Sequence, residues 1–294
     1  MSAPSSNIRP RRSVLYMPAA RASALEKAKA LPADALIFDL EDAIAPDTKA
    51  TARDMAVAAA GSGEYGQREI AIRANGLDTP WGQADLTAIA QSGAHAAVVP
   101  KIESAAMVRQ ALAVLEGAGA PASMALWAML ETPLGVLSAE DIASASPRLA
   151  VLVMGTSDLA KDLGATHTPD RAPFMTSFGL CLLAARAHGC AILDGVHLNI
   201  ADDTEFAAQC MQAAQMGFDG KTLIHPKQVN PANDAFGPSA DDIDHARRVV
   251  EANEAGIAAG QGVVTLDGHL IENLHADGAR HTLQLADAIA ALSE

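Results

Sequence analysis

The 294-residue chain is short of aromatics, of cations and of cysteines, and each shortage removes a class of protein. Aromatic residues make up 3% of it while half of all residues are hydrophobic. Its core must therefore be aliphatic and rich in alanine, which suits helices packed closely over a sheet. Lysine and arginine number 21 against 35 acids, a formal charge of −14. A chain of that sign repels phosphate backbones, so nucleic acid is not expected as a partner. Cys181, Cys190 and Cys210 are odd in number and lack CxxC spacing. They read as reduced thiols, not as a disulfide framework or a zinc site. No apolar run approaches the ~18 residues of a membrane helix, and no apolar stretch near the start is long enough for a signal peptide. The expectation is a soluble, cytoplasmic protein with no membrane association. Internal repeats and low-complexity tracts are lacking too.

What is present is a series of short apolar runs: "SVLYMP" from 13, "ALIFDL" from 35, "EIAIRA" from 69, "AAVVPK" from 96, "MALWAML" from 124, "AVLVMG" from 150, "CAILDGV" from 190 and "KTLIHP" from 221. None alternates cleanly between apolar and polar. Continuous apolar runs are what parallel strands buried on both faces require. Alanine-rich amphipathic segments lie between them, such as "SAAMVRQALAVLEGAG" and "TEFAAQCMQAAQMG", each ending in the glycine that commonly stops a helix. Eight strands 22 to 40 residues apart, each followed by a helical segment, predict a (β/α)8 TIM barrel of the α/β class. The competing architecture is a doubly wound open sheet. It calls for a glycine-rich phosphate turn after the first strand, and "YMPAARAS" has none.

The barrel is expected to occupy 1–228 and a helical extension 229–294. In the extension, "PKQVNPANDAFGPSADD" is turn-rich, a helix is expected over about 241–255, and a last helix ends near Leu292. A tail of this size makes a poor independent domain, so it is expected to pack on the barrel or on a neighbouring subunit.

Barrel enzymes do their chemistry at the carboxyl ends of the strands. There the sequence offers Tyr16, then Asp39, Glu41 and Asp42, then Arg73, Lys101, Glu131, Asp158, Asp194 and His225. Charged groups at the mouth of an apolar barrel need partners, metals or ligands. Glu131 and Asp158 close consecutive runs, 27 residues apart. Adjacent strands are about 4.8 Å apart, so two inward carboxylates there repel unless a cation lies between them. Oxygen ligands without histidine or cysteine favour Mg²⁺, or Mn²⁺, over zinc, and two of them leave about four positions open. The bland alternative is a salt bridge to Lys101 or Arg73. Arg73 has a planar fork suited to a substrate carboxylate, and equally to the acids after the second strand. "VMGTSDLAKDLG", which includes Ser157, adds backbone N–H groups at a strand-to-helix turn, a cradle for an anion. For Lys101, Asp194 and His225 taken singly, a structural role is at least as well supported as a catalytic one. The three acids read best as orienting Arg73 and a neighbouring lysine, with Glu41 facing the mouth, although Asp42 could simply cap the next turn. Arg9, Arg11, Arg12, Arg21, Lys27 and Lys29 face a single acid, Glu26, within the first 29 residues. They form either a solvated basic tail or a site for a small polyanion.

The motifs "RRSVLYMPAA", "ADALIFDLEDAIAPDTKATAR", "REIAIRANGLDTPWGQADL", "VVPKIES", "LETPLGVL", "GTSDLAKDLG" and "GFDGKTLIHPKQV" resemble the citrate lyase β-subunit-like branch of the HpcH/HpaI aldolase family, from about Arg11 to the end of the chain. That branch includes malyl-CoA, β-methylmalyl-CoA and citramalyl-CoA lyases. The resemblance implies a Mg²⁺-dependent barrel, trimeric or hexameric, that cleaves or forms a C–C bond between an acyl-CoA thioester and a 2-oxo acid. It puts Glu131 and Asp158 on the metal, Arg73 and Ser157 with them on the substrate, and Tyr16, Arg21, Lys27, Ile224 and His225 on the CoA portion. The expected catalytic residues are Arg73, Glu41 and Glu272. In the lyases the position of Glu272, in "DGHLIENLH", carries an aspartate supplied by a neighbouring subunit as acid/base. A glutamate is one methylene longer, and a shift of about 1 Å can cost two orders of magnitude in rate. The departure leaves open a different substrate, thioester hydrolysis as in a malyl-CoA thioesterase, or equal service by Glu. A citrate lyase β-subunit, needing an acyl-carrier partner, and a non-catalytic binding protein complete the alternatives.

Overall fold

The computed structural model describes residues 8–292; the outermost residues of the two expected segments, 1–7 and 293–294, lie outside the described residues. Eight parallel strands close into a barrel in chain order: β1 (Ser13–Pro18), β2 (Ala35–Asp39), β3 (Glu69–Arg73), β4 (Ala96–Val99), β5 (Ala125–Leu130), β6 (Leu149–Met154), β7 (Ala191–Asp194) and β8 (Gly220–Leu223). β8 pairs back onto β1, with Val14 opposite Thr222. Helices follow the strands, so the expected (β/α)8 architecture is the one observed.

The apolar runs are continuous because both strand faces are covered, one by helices and one by the barrel interior. Within each run, every second residue points inward. Val14, Ala35, Ile37, Ala71, Val98 and Trp127 belong to one interior cluster with Met129, Val153 and Leu193. Small alanines on β2, β3 and β4 leave room for the large ring of Trp127, which is fully buried. The guanidinium of Arg11 sits 5.4 Å from that ring and is itself held by Glu69, Nε to Oε2 at 2.6 Å. Helix ends follow ordinary chemistry. Ser104 and Asp202 accept backbone N–H bonds from Met107 and Glu205, and the helix Asp203–Met216 stops at Gly217 in the left-handed region.

By its contacts the chain divides into two compact units, Arg11–Ala235 and one that holds the residues from Phe236 onward. In the latter, the helix Ala240–Ala258 packs against the helix Asn273–Ala291, with Ala246, Val249, Ile271 and Ala279 between them. The glycine-bounded stretch joining them is an antiparallel hairpin, β9 (Val264–Leu266) with β10 (His269–Ile271), which the sequence pattern does not announce. The turn-rich segment after the barrel likewise holds an unforeseen helix, Val229–Phe236. No helix among the described residues is long and apolar enough to cross a membrane.

Asp194, at the end of β7, is fully buried and binds two cations, Lys221 Nζ and Arg171 Nη1, each at 2.6 Å. Lys221 and Arg171 are almost wholly buried as well. This cluster ties β7, β8 and the segment before the helix Met175–His188 together, and gives Asp194 a structural role. Removing one member strands the others in low dielectric. Asp194→Ala is expected to destabilise the barrel by roughly 3–5 kcal/mol, read from urea unfolding.

Candidate active site

Strand register builds the floor of the site. Asp39 and Arg73 end β2 and β3 at paired positions, and each continues its strand's inward row. They meet as a fork: Nε donates to Oδ1 at 2.7 Å and Nη2 to Oδ2 at 2.8 Å. Arg73 Nη1 forms an ion pair with Glu41 Oε2 at 2.6 Å. Two of the five N–H bonds of the guanidinium are therefore committed to Asp39, and the contact with Glu41 is one of charge. Met129 Sδ, 3.9 Å from Nη1, is a weak acceptor that an incoming carboxylate outcompetes. The ring of Tyr16, on β1, lies 4.9 Å from the guanidinium, and its hydroxyl meets Met129 Sδ at 3.7 Å. Burial raises the Tyr16 hydroxyl above its ordinary range, so it stays protonated. Burial opposes the charge of Arg73, but Asp39 and its neighbours outweigh it and hold the pKa above the usual value.

Glu131 takes the next inward position after Met129, one residue beyond β5, and is 3% exposed. Its side chain lies against Gly155: a Cβ added there would stand 2.3 Å from Glu131 Cβ and 2.4 Å from Oε2. Only glycine leaves that space. Lys101 adopts the left-handed backbone region (φ 52°), uncommon for a residue with a side chain, and its N–H donates to Glu131 Oε1 at 2.8 Å. Its ammonium reaches Glu41 Oε1 at 2.8 Å and Asp158 Oδ2 at 3.3 Å. Asp158 does not end a strand, as the sequence pattern had it; β6 stops at Met154, and Asp158 lies in the first turn of the helix Thr156–Leu163. The run itself ends at Gly155, and the three residues from there to Asp158 are the turn into the helix and not the end of the strand.

A pocket of about 460 Å³ opens here, walled on its other sides by Met154, Val196, Leu198, Thr222 and Ile224; Glu41, expected to face the mouth, is buried behind Arg73 and, like Lys101, is not among the lining residues. Tyr16, Arg73, Glu131, Ser157, Asp158 and Ile224 all line it, as do Asp39 and Asp42. Asp42 is exposed and 3.8 Å from Arg73 Nη1. Arg21 and Lys27 are exposed at the two ends of the helix Ala22–Ala28 and are not among the lining residues. Nor is His225, whose Nδ1 accepts the Lys227 N–H at the start of a short 3₁₀ turn. Glu272 belongs to the second compact unit, where it precedes the helix Asn273–Ala291 and its N–H donates to His275 Nδ1 at 3.0 Å.

Five carboxylates (Asp39, Glu41, Asp42, Glu131 and Asp158) thus share two cations, Arg73 and Lys101, an excess of three negative charges when all are ionised. Burial, then the charge of Glu41, pushes Glu131 up to about 7. Burial also raises Glu41, against the pull of Arg73, and its Oε2 has no hydrogen-bond donor among the described residues. A pocket so charged would repel an anionic substrate unless a further cation joined it. No group of three or more histidines, cysteines or acids among the described residues forms a closed metal site. Glu131 and Asp158, lining one pocket with all-oxygen donors, suit a hard divalent ion that keeps several positions for water and substrate.

Comparison with known proteins agrees with this arrangement. Residues 12–226 match the model of the HpcH/HpaI aldolase/citrate lyase family. The chain is 49% identical to a (3S)-malyl-CoA thioesterase of Cereibacter sphaeroides over 96% of both chains. It is 37% identical to the citrate lyase subunit beta of Escherichia coli, over 95% of this chain and 94% of that one. A crystal structure of CitE from Mycobacterium tuberculosis in complex with magnesium, acetoacetate and coenzyme A superposes with a TM-score of 0.77 at 30% identity, covering 96% of this chain and all of that one. The barrel, the oxygen-lined pocket at its carboxyl end and these matches agree: the chain belongs to the HpcH/HpaI aldolase/citrate lyase family.

Proposed function

We propose that the protein is a Mg²⁺-dependent enzyme acting on a short 3-hydroxyacyl-CoA that carries a second carboxylate, of the malyl-CoA kind, and that it hydrolyses the thioester. The observation that carries the site is the carboxylate excess beside a clamped arginine: it favours a divalent ion first and an acidic acyl group with it. The choice of hydrolysis rests on the 49% identity to a malyl-CoA thioesterase, against 37% to a citrate lyase subunit, and on Glu272 in place of the lyases' aspartate. The second reading is C–C cleavage to acetyl-CoA or propionyl-CoA and a 2-oxo acid, or its reverse. Membership of an aldolase and citrate lyase family supports it. Coenzyme A with magnesium in the CitE complex supports a free CoA ester as substrate in either case.

Glu131 and Asp158 would hold the cation, which when bound supplies Lewis-acid polarisation of a substrate oxygen. Arg73, fixed from behind by Asp39, has N–H bonds left for the substrate carboxylate and needs no rearrangement to use them. Glu41 and Lys101 keep Arg73 and Asp158 in register with one another. Tyr16, protonated, can donate to a substrate oxygen. Glu272 would carry the proton: from the attacking water in hydrolysis, or to the α-carbon in cleavage. Arg21, Lys27, Ile224 and His225 remain the proposed contacts of the CoA portion, and a homotrimer or hexamer the proposed assembly.

Malyl-CoA incubated with the protein and Mg²⁺ should give malate and free thiol in equal amounts, followed by thiol titration and mass spectrometry. Glyoxylate with acetyl-CoA would establish the second reading instead. Glu131→Ala and Asp158→Ala should each abolish Mg²⁺-dependent turnover, and full activity in either would remove the metal site. Gly155→Ala leaves every charged group in place but drives a methyl into Glu131. It should weaken Mg²⁺ binding by at least about tenfold in isothermal titration.

A further inference from the structure

Behind the pocket floor lies a buried lysine that the reaction does not require. Lys49, the first residue of the helix Lys49–Gly61, is 6% exposed, in a chain whose other lysines are mostly at the surface. Its ammonium donates three bonds, to Leu40 O at 2.9 Å, Glu41 O at 2.8 Å and Asn75 Oδ1 at 2.6 Å. The indole of Trp81 covers its remaining side, 5.3 Å away. Asn75 repeats the pattern, donating through Nδ2 to Leu40 O at 3.0 Å and to Asp85 Oδ2 at 2.6 Å. Asp85, fully buried, takes its second oxygen to Arg53 Nε at 2.6 Å. Lys49 and Asp85 are thus withdrawn from water, with Arg53 half-buried beside them, and two of the three bonds from the ammonium go to the backbone carbonyls of Leu40 and Glu41.

That segment leaves β2 and turns at once, with few bonds of its own. Leu40 N donates to Arg73 O, Glu41 N to Asp39 Oδ1, and Ile44 N to Glu41 O. The turn aims the carbonyls of Leu40 and Glu41 at the ammonium; each has one other donor, Asn75 Nδ2 and the Ile44 N–H respectively, so Lys49 supplies the second bond to each and is the one group that joins the two. The side chain of Glu41 is sent the other way, onto Arg73 and Lys101. We propose that Lys49 is a positioning residue for this site: by holding the carbonyls of Leu40 and Glu41 it fixes the carboxylate of Glu41, and through Glu41 the guanidinium of Arg73 and the ammonium of Lys101. Lys49 touches no pocket atom on this account and takes no part in proton transfer. Its effect reaches the substrate only through Glu41, so it rests on the reading of the site given above.

The test combines a readout that needs no substrate with one that does. Lys49→Met keeps the aliphatic stem and removes the charge; Lys49→Gln, which retains an N–H₂ donor, serves if the methionine variant does not fold. By hydrogen–deuterium exchange the amides of 40–44 should exchange at least about tenfold faster in the variant, while those of β7 on the opposite side stay unchanged. Unaltered exchange over 40–44, or an equal rise throughout the barrel, overturns the proposal, whatever reaction the protein catalyses. In turnover, Lys49→Met should lower kcat by about tenfold or more in the parent, yet by less than about threefold in a Glu41→Gln background, because the geometry it protects is already lost. Losses that multiply in the double variant would assign Lys49 to general stability and overturn the positioning role. A parent without turnover on any CoA ester sinks the functional reading, and the exchange comparison still decides the role of Lys49.

Discussion

The pairing of β2 with β3 in the register that sets Asp39 beside Arg73 is the constraint on which the site depends. A slip of one residue would turn the guanidinium toward the surrounding helices and leave a lone charge against aliphatic side chains. With the register kept, a bidentate ion pair forms at the end of the apolar interior, where low dielectric makes it strong and expensive to break. Everything else is arranged around it: Glu41 on the free side of the guanidinium, Tyr16 against its face, and Lys101 linking Glu41 to Asp158.

The cost is a surplus of negative charge in a cleft with apolar walls. The protein tolerates it by distributing cations around the carboxylates without neutralising them. Arg73 and Lys101 lie among the acids, and Lys49 lies behind them. Burial, and after it the charge of Glu41, raises the pKa of Glu131. On the proposed function, a small, hard cation would lower the mutual repulsion of these acids.

Much of the barrel was legible in the sequence because parallel strands buried on both faces have to be continuously apolar, and eight such runs are hard to mistake. The same property concealed the details. Where both faces are apolar, no alternation reveals which residues point inward, and the inward rows Ala35–Ile37–Asp39 and Trp127–Met129–Glu131 emerge only from the structure. Asp158 was counted as a strand end because a single residue, Gly155, joins β6 to the next helix, so sequence alone does not say on which side of the turn an acid lies. The hairpin at 264–271 was missed since strands of three residues leave no periodic trace. Lys101 and Lys49 were undervalued for a different reason. The first owes its place to an unusual backbone angle and the second to carbonyl groups, and neither leaves a mark in side-chain pattern.

The pocket wall is divided unevenly between the two halves of the barrel. Every ionised lining residue comes from the β1–β6 side, whereas the loops after β7 and β8 contribute only Val196, Leu198 and Ile224. Those three have no ionic duty, and the charge of Asp194 is sealed beneath them by Lys221 and Arg171. Their bulk can therefore be altered without touching the electrostatics opposite. On the proposed function, half of the cup would be machinery and the other half a mould, and a change in the acyl chain accepted would be made by recasting the mould.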